Sequence, residues 1–455
     1  MFSKSEESKE LQERIFSYAR ERIAMSPPPL DSAKTLDWLK SNVPPTITDE
    51  GLGGSEALDL FENVLALACI STDHPGYLSF IPTSPTDSST LFDLVVSASS
   101  IYGGSWLEGA GAVYAENQVL SWLATEVGLP ESSGGVFVQG GSLGNLSALV
   151  TARYSAQQKL LATGTKIPSR WRIICSEEAH SSLSAAARVM DIDLIKAKVD
   201  AEGRLRGAAV TDALMGVEPD SVFAIVATAG TTNFGIVDNL EEVGKVANNL
   251  GIWFHIDGAY GLAGILAKSS RHLFNGSNRA DSFIVDPHKW LFAPFDACAL
   301  VYRDPNLARD AHAQHGEYLD TLTDSGEFNP SDYAFNLTRR VRGLPLWFSL
   351  ATHGVDKYRE AIEMNIQVVS QIADVIRRDP ELELIREPEL SVVVFKKRGW
   401  KLAEYEAWSK MLLDRGQAFV VPSSHRGEVN TRFAVVNPET TISHLEAIVE
   451  SMKEL

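Results

Sequence analysis

Residues 252–257, IWFHID, and residues 282–286, SFIVD, are short apolar runs that each end in an aspartate. Runs of this length, rich in β-branched and aromatic residues, predict buried β-strands. The same pattern occurs earlier in the chain, in GVFVQ at 135–139, WRIICS at 171–176 and SVFAIVAT at 221–228. Helical stretches start near Asn145, Ser181 and Leu240, between the strands. Strands that alternate with helices predict an α/β fold with a mainly parallel sheet flanked by helices.

Each of these five strands ends in residues that can take part in chemistry. Sheets of parallel strands bind ligands at the carboxyl ends of the strands, so we expect these ends to meet in one crevice. The ends are Gly140-Gly141-Ser142, residues 176–180, Thr231-Thr232, Asp257 and residues 286–289.

The regions on either side of the sheet are predicted to form smaller units. A helix is predicted over residues 8–25, and the prolines at 27–29 end it. Strands at 391–397 and 431–437 around a helix at 401–415 predict a smaller α+β domain. We therefore expect an N-terminal helical segment over 1–70, a large domain over 71–350 and a small C-terminal α+β domain over 351–455.

The composition excludes several classes of protein. The 455 residues are 44% hydrophobic and 22% charged, a mixture typical of globular proteins. The formal net charge of −18 repels polyanions, so no nucleic-acid partner is expected. No apolar run approaches the roughly 18 residues of a membrane span, so no membrane association is expected.

The cysteine content and the N-terminus favour a cytoplasmic protein without structural disulfides. Cys69, Cys175 and Cys298 are the only cysteines, and the first residues are charged where a signal peptide would be apolar. No cysteine or histidine cluster has the spacing of metal ligands, so no metal site is expected.

Lys289 and Asp257 together fit the chemistry of pyridoxal phosphate. Lys289, in Asp-Pro-His-Lys-Trp, follows a buried strand, where desolvation is expected to lower the pKa of the amine and favour a nucleophile. Asp257 could keep a ring nitrogen protonated, which the cofactor needs in order to act as an electron sink. Considered alone, a lysine in a loop is usually a solvated charge, and Asp257 could equally be a cap of the following turn.

The glycine-rich turn GGSLGN at 140–145 has two interpretations. It can offer backbone amides to a phosphate. It also satisfies G-x-S-x-G, the nucleophile elbow of α/β-hydrolases, and Ser142, Asp257 and His288 follow in the hydrolase order of serine, acid and histidine. A serine hydrolase is therefore the alternative from a different class. His180 could stack on a cofactor or transfer protons, or it could bond at a helix start.

Taken together, these segments resemble the group II pyridoxal-phosphate-dependent decarboxylases, the family of aromatic L-amino acid, histidine and glutamate decarboxylases. The resemblance runs in family order over nearly the whole chain, and DPHKW placed after HIDGAYG is its most specific part. The matching segments are HPGYLSFIPT at 74–83, GGSLGNLSAL at 140–149, SEEAHSSL at 176–183, ATAGTTNFGIVDNL at 227–240, WFHIDGAYG at 253–261, DSFIVDPHKWL at 281–291, RRVRGLPLW at 339–347 and RFAVVNPETT at 432–441.

The resemblance implies a fold type I enzyme, pyridoxal 5'-phosphate as the cofactor, and a homodimer with interlocked N-terminal helices and the active site at the subunit interface. It implies that Lys289 is the internal aldimine lysine, Asp257 the partner of the pyridinium nitrogen and His180 the ring stacked over the cofactor. The phosphate would be held by Gly141, Ser142, Thr231, Thr232 and His288. The substrate pocket would include Tyr77, Phe80, Pro82 and Thr83, with Tyr102 and Gly104 reaching in from the partner subunit.

The activity implied is decarboxylation of an L-amino acid to its amine and carbon dioxide. Glycines at 103 and 104 suggest room for a large flat side chain, and Tyr77, Phe80 and Tyr102 could line it, so an aromatic substrate is favoured: tryptophan, tyrosine, phenylalanine or DOPA. An acidic substrate would need a pocket arginine, for which Arg339, Arg342 and Arg432 are candidates.

In this family a tyrosine on a mobile loop is the usual proton donor. The loop 315–336 contains Tyr318 and Tyr333, but neither aligns without a gap, and Tyr333 is the candidate if a gap is allowed. A displaced donor would redirect the reaction towards oxygen, so oxidative decarboxylation to an aldehyde is the alternative within the class. A protein that keeps the cofactor without turnover is a third possibility, and the presence of both Lys289 and Asp257 argues against it.

Overall fold

Seven strands form the main sheet of the protein. The structure is a computed structural model that describes residues 5–81, 84–218, 220–314 and 328–455. The strands are β1 Gly134–Val138, β2 Arg172–Ser176, β3 Asp193–Ala197, β4 Val222–Thr228, β5 Trp253–Asp257, β6 Ser282–Val285 and β7 Cys298–Tyr302. Their order is β1-β7-β6-β5-β4-β2-β3. β7 is antiparallel to both of its neighbours, and the pairs from β6 to β3 are parallel. The predicted mainly parallel α/β sheet, of fold type I, is confirmed.

Two strands of this sheet are not singled out by the sequence. β3 lies at an edge and is mostly half-buried, so its apolar signal is weak. β7 is fully buried, but it pairs antiparallel with β6, so only the four-residue helix Pro287–Trp290 precedes it and no long crossover helix marks it. All residues of β4, β5 and β6 are likewise buried, as in sheets that are covered on both faces.

The chain forms two compact units, which we describe separately. One comprises residues 83–370 with 386–393 and contains the main sheet. The other comprises residues 1–82, 371–385 and 394–455. The helices, in chain order, are α1 Glu6–Ile23, α2 Leu36–Asn42, α3 Gly54–Leu60, α4 Asp87–Ala98, α5 Trp106–Val127, α6 Gly141–Ala162, α7 Ser181–Met190, α8 Gly207–Leu214, α9 Leu240–Leu250, α10 Pro287–Trp290, α11 Pro305–His312, α12 Leu344–His353, α13 Val355–Arg378, α14 Leu402–Asp414 and α15 Ile442–Glu450.

A second, four-stranded sheet accompanies the N-terminal helices and the C-terminal region. Its order is β10-β11-β9-β8, and its strands are β8 Leu382–Leu384, β9 Val392–Lys397, β10 Ser423–His425 and β11 Glu428–Ala434. The strand predicted over 431–437 thus begins and ends three residues earlier in the chain. The division of the chain at residues 70 and 350 stays a prediction.

The N-terminal helix and α6 show how local sequence sets helix starts. α1 begins at Glu6 because the Ser5 hydroxyl accepts from the Ser8 amide at 3.2 Å, a standard N-cap. α6, expected from Asn145, already begins at Gly141, so the glycine-rich turn is the first turn of the helix. Within the described ranges, no helix combines the length and apolar composition that a membrane span requires.

Candidate active site

A cavity of about 410 Å³ lies among residues that follow the carboxyl ends of the strands. This volume falls in the range of about 300–1,000 Å³ typical of small-molecule sites. Residues from all five predicted strand ends are on its wall. Lining residues include Gly141, His180, Thr232, Asp257, His288 and Lys289.

The register of the parallel strands explains this convergence. Thr228, the last residue of β4, pairs with Asp257, the last residue of β5. Asp257 in turn pairs with Ile284 of β6. Because the strands end nearly level, the segments that follow them leave the sheet along one edge, as the sequence predicts.

The N-terminus of α6 forms one end of the cavity. Gly140 and Gly141 are both on its wall, and the first turn of this 22-residue helix has amides without intrahelical acceptors. A Cβ atom on Gly141 would lie 3.1 Å from Ala259 Cβ and 3.2 Å from Asp286 Oδ2, so a side chain there would crowd the site. Such a helix start suits a phosphate, because it presents amides and the positive end of the helix dipole.

The two threonines predicted to hold a phosphate have different positions. Thr231 is buried, and its hydroxyl accepts from the Ile236 amide at 3.1 Å. This hydrogen bond closes the loop between residues 231 and 236. Thr232 lines the cavity. Thr228, which sequence reasoning did not select, also lines it, and its buried hydroxyl has no hydrogen-bond partner among the described residues.

Asp257 is only 4% exposed and is held by two amide donors. Its Oδ2 accepts from Asn145 Nδ2 at 2.8 Å, and its Oδ1 accepts from the Ala259 amide at 3.2 Å. The second bond is the local turn contact that the sequence allows. The first comes from α6, and Asn145, although part of the quoted glycine-rich turn, has no role in the sequence prediction.

Lys289 is paired with a carboxylate of its own motif. Its Nζ lies 2.9 Å from Asp286 Oδ2, and the Asp286 side chain is 2% exposed. Burial lowers the pKa of Lys289, but the charge and hydrogen bond of Asp286, together with the charge of Asp257, raise it, and the resulting pKa is above the ordinary value. The predicted lowering is therefore wrong, because desolvation was considered without the neighbouring carboxylate.

Asp286 was missed because its position has an ordinary explanation. It is the N-cap of α10, where aspartate usually accepts a hydrogen bond from the first turn, yet its side chain makes no such bond. One oxygen is directed to Lys289 instead. The other, Oδ1, is buried without a partner among the described residues. The signal available in the sequence was the pair of aspartates, 257 and 286, at the ends of adjacent strands.

His180 and His288 both lie on the wall of the cavity. His180 is the N-cap of α7, and its Nδ1 accepts from the Ser182 amide at 3.2 Å, so the helix-start interpretation holds while the exposed ring still faces the cavity. His288 Nδ1 lies 2.7 Å from the Ala297 carbonyl oxygen, and its Nε2 is 3.8 Å from Asp286 Oδ2.

This arrangement does not form the hydrolase triad. The acid of a triad must bond to its histidine. Asp257 instead bonds to Asn145 and Ala259, and the His288 ring bonds to Ala297. Over the described parts of the chain, no group of three or more histidine, cysteine, aspartate or glutamate side chains is placed to hold a metal ion.

Comparison with known proteins identifies the family. The model of the pyridoxal-dependent decarboxylase conserved domain matches residues 39–398. The chain belongs to this family. An aromatic-L-amino-acid decarboxylase of Bacillus atrophaeus is 28% identical over 444 residues, covering 94% of this chain and 90% of the relative. The enzyme is a pyridoxal-phosphate-dependent carboxy-lyase.

Solved structures of the same fold cover almost the entire chain. Oryza sativa TDC with PLP and tryptamine has a TM-score of 0.89 and 23% identity, and covers 100% of this chain and 99% of that one. Rhodiola rosea 4-hydroxyphenylacetaldehyde synthase has a TM-score of 0.85 and 22% identity, and covers 98% and 96%. At these identities the likeness concerns the fold.

The residues of the cavity fit pyridoxal phosphate. The α6 N-terminus suits the phosphate, Asp257 is a buried carboxylate for the ring nitrogen, and Lys289 is an amine on the same wall. The unpaired hydroxyl of Thr228 offers a further polar contact.

The residues predicted for substrate binding are not all brought to this cavity. Pro82, Thr83 and Tyr318 lie outside the described residues. Tyr77 and Phe80 belong to the other unit, where each ring packs near Phe419, at 5.0 and 6.3 Å between centroids.

The space expected beside Gly103 and Gly104 is occupied within the subunit. A Cβ atom on Gly104 would lie in the ring of Tyr102, whose hydroxyl donates to the Leu337 carbonyl at 3.1 Å. A Cβ atom on Gly103 would contact Val341 Cγ1. Within the subunit the two glycines therefore make room for this enzyme's own side chains, and room for a substrate beside them stays a prediction.

Tyr333, the candidate proton donor, is not among the residues that line the cavity. It is 6% exposed, stacks on Phe328 at 4.2 Å, and its carbonyl accepts from the Tyr302 hydroxyl. Two of the candidate arginines are each paired with a carboxylate: Arg339 is buried against Glu116, and Arg342 pairs at 2.9 Å with Asp296, which lines the cavity.

Proposed function

We propose that this decarboxylase removes the α-carboxyl group of an aromatic L-amino acid, of the tryptophan, tyrosine, phenylalanine or DOPA type, and releases the amine and carbon dioxide. The observation that carries the proposal is the placement of Lys289, Asp257 and the α6 N-terminus around one cavity. When bound there, pyridoxal phosphate supplies an electron sink for the electron pair that remains when carbon dioxide leaves.

Each residue of the chain has a separate task in this proposal. Lys289 would hold the cofactor through Nζ, and Asp286, at 2.9 Å, is placed to accept a proton from that atom. Asp257 would be the partner of the ring nitrogen. His180 would lie against the ring, and the first turn of α6, with Ser142, Thr232 and His288, would hold the phosphate.

An aromatic substrate is supported by the relatives and by the charges in the large unit. The Bacillus atrophaeus relative is an aromatic-L-amino-acid decarboxylase. An acidic side chain would need a cation near the cavity, but Arg339 and Arg342 are each paired with a carboxylate. Either guanidinium would have to leave its carboxylate before it could bind an acidic substrate in its place.

Aldehyde formation is the alternative outcome of the same decarboxylation, and it depends on the proton donor. If no tyrosine delivers a proton to the substrate carbon, the electron-rich species that remains after carbon dioxide leaves can react with oxygen instead. Tyr333 is buried against Phe328 and Tyr302, away from the cavity wall. Amine and aldehyde are distinguished by product analysis with and without oxygen.

A homodimer is the assembly that we propose. Several apolar side chains of α4 and of the start of α5 are exposed: Leu91, Leu94, Val95 and Leu107 at 49%, 44%, 48% and 70%. Exposed apolar patches of this kind mark interfaces. α1 likewise exposes Ile15 and Phe16. Sedimentation at micromolar concentration tests the dimer.

The cysteines, Cys69, Cys175 and Cys298, form no disulfide, which supports a cytoplasmic location.

The test of the function begins with the visible spectrum of the purified protein before and after borohydride, followed by peptide mapping. We expect a yellow protein that carries a pyridoxyl adduct on Lys289. Lys289→Ala should abolish turnover of aromatic amino acids, while Lys268→Ala, which changes an exposed lysine, should leave it intact. Ser142→Ala should weaken cofactor binding and keep turnover. A colourless protein that binds no pyridoxal phosphate would refute the proposal.

A further inference from the structure

A row of buried polar side chains leads from Asp257 into the interior of the sheet. Asn145 Nδ2 donates to Asp257 Oδ2 at 2.8 Å, and Asn145 Oδ1 lies 2.9 Å from His255 Nε2. His255 Nδ1 lies 2.7 Å from Ser282 Oγ, and Trp253 Nε1 donates to the same oxygen at 2.8 Å. All five residues are at most 7% exposed.

The chemistry of the two ends fixes the direction of every proton in this row. An indole N–H can only donate, and a carboxylate can only accept. Because Asn145 uses its amide nitrogen for Asp257, its oxygen must face His255, and His255 must carry its proton on Nε2. The Nδ1 atom of a neutral His255 is then an acceptor, so the Ser282 hydroxyl donates to it. Every donor therefore points towards Asp257.

The charge state of His255 agrees with this assignment. Complete burial, only partly opposed by the charge of Asp257, lowers the pKa of His255 to about 4. The ring is therefore neutral near pH 7. Asn145 also donates to Ser182 Oγ at 3.0 Å, so both of its N–H groups are used and the amide cannot rotate without breaking bonds.

A row of polar side chains in a sheet interior costs free energy unless each member has its hydrogen-bond partners. Buried polar groups cost free energy when they are unpaired, and aligned hydrogen bonds strengthen one another in a medium of low dielectric constant. Apolar side chains could fill the same volume between α6, β5 and β6 and pack equally well. The row ends at the one carboxylate that the proposed chemistry requires to be charged and correctly turned.

We propose that Asn145 and His255 are positioning residues that hold the Asp257 carboxylate ionised and in a single orientation towards the cavity. The proposal rests on the role given above to Asp257 as the partner of the cofactor's ring nitrogen. His255 acts on Asp257 through its hydrogen bond with Asn145. Asn145 acts on the cofactor through its hydrogen bond with Asp257.

The first test needs no activity. In protein labelled with ¹⁵N-histidine, the His255 signal is identified by its loss in His255→Gln. We expect shifts of a neutral ring with Nε2 protonated and Nδ1 unprotonated, unchanged between pH 5.5 and pH 8. A ring protonated on Nδ1, or one that titrates in this interval, would overturn the assigned direction of the row.

The second test measures cofactor affinity and the pH dependence of the visible absorption band in loaded protein. Asn145→Leu should weaken binding of pyridoxal phosphate about tenfold or more, the loss expected for a hydrogen bond to a charged group, and should move the pH midpoint of the band. His255→Leu should shift both in the same direction by a smaller amount, because His255 bonds to the neutral amide of Asn145. His255→Gln keeps an N–H donor for Asn145 and should retain affinity within about threefold.

Thr151→Val is the matched control. Thr151 is a fully buried polar residue of the same helix, bonded at 3.1 Å to His312 and remote from the row. If Asn145→Leu binds the cofactor and absorbs as Thr151→Val does, the positioning role is refuted while the proposed function stands. If the unaltered protein fails to bind pyridoxal phosphate, the proposed function fails and the ¹⁵N measurement still judges the row.

Discussion

Replacing Arg339 by methionine would leave a buried carboxylate without its partner. The Arg339 and Glu116 side chains are 2% and 3% exposed, and Arg339 Nη2 lies 2.8 Å from Glu116 Oε2. Arg339 also donates to the carbonyl oxygens of Gly103 and Phe137. One side chain therefore joins the loop before α5, α5 itself and the end of β1.

The cost follows from this burial. Removing one member of a buried ion pair costs about 3–5 kcal/mol, because the remaining charge has neither water nor a partner. Burial already raises the pKa of Glu116 although Arg339 opposes it, so Arg339→Met should raise that pKa further. Replacing both Arg339 and Glu116 by uncharged residues such as Asn, Gln or Met would avoid the unpaired charge.

Hydrogen exchange measures this cost locally. The Gly343 amide donates to Glu116 Oε1 at 2.8 Å, so a peptide that covers it reports on the pair. A loss of about 3 kcal/mol corresponds to roughly a hundredfold lower protection factor. The double variant Arg339→Met with Glu116→Gln should recover most of the protection. A single variant whose protection stays within threefold of the unaltered protein would refute the reasoning.

Three further outcomes are expected. In protein freed of cofactor, Asp286→Asn removes the largest interaction that raises the pKa of Lys289 and leaves the burial that lowers it, so labelling of this lysine by trinitrobenzenesulfonate at pH 8 should accelerate; unchanged labelling would contradict the pairing. Gly135→Ala places a Cβ atom 1.9 Å from a carbonyl oxygen of β7 and should abolish the folded protein, whereas Gly111→Ala, with open space, should fold; equal yields would contradict the close approach. His255, with its folded pKa lowered to about 4, binds fewer protons than in the unfolded chain, so stability should fall as the pH drops from about 6.5 to about 4. His255→Gln should flatten this part of the urea-midpoint profile, and an unaltered slope would count against the buried neutral ring.

The sequence predicts the large sheet and its functional edge because the signals are local. Apolar runs followed by glycines, threonines or aspartates mark strand ends, and parallel topology brings such ends together without further information. Asp257 and Lys289 could be selected for this reason. The family resemblance then names the cofactor, and the match over residues 39–398 agrees with it.

What the sequence does not predict depends on contacts between distant segments. Tyr102 fills the space beside Gly104, which no local pattern indicates. The pKa of Lys289 depends on which way the Asp286 side chain turns, and a capping position normally turns it towards the helix. Tyr333 has a hydroxyl that suits a catalytic loop and a ring that suits a core. Its stacking on Phe328 is a contact that no local pattern indicates.

The antiparallel strand β7 has a consequence for the segment that carries Lys289. β6 ends and β7 begins at the same edge, with Val285 opposite Ala299, so one continuous peptide leaves the sheet, carries Lys289 and returns. Its carboxylate partner, Asp286, lies on the same short excursion. Lys289 and Asp286 thus lie on one connection between neighbouring strands. Their position relative to Asp257 depends instead on the pairing of β5 with β6. Substitutions elsewhere in the sheet can change the position of Lys289 relative to Asp257 and leave the contact between Lys289 and Asp286 unchanged.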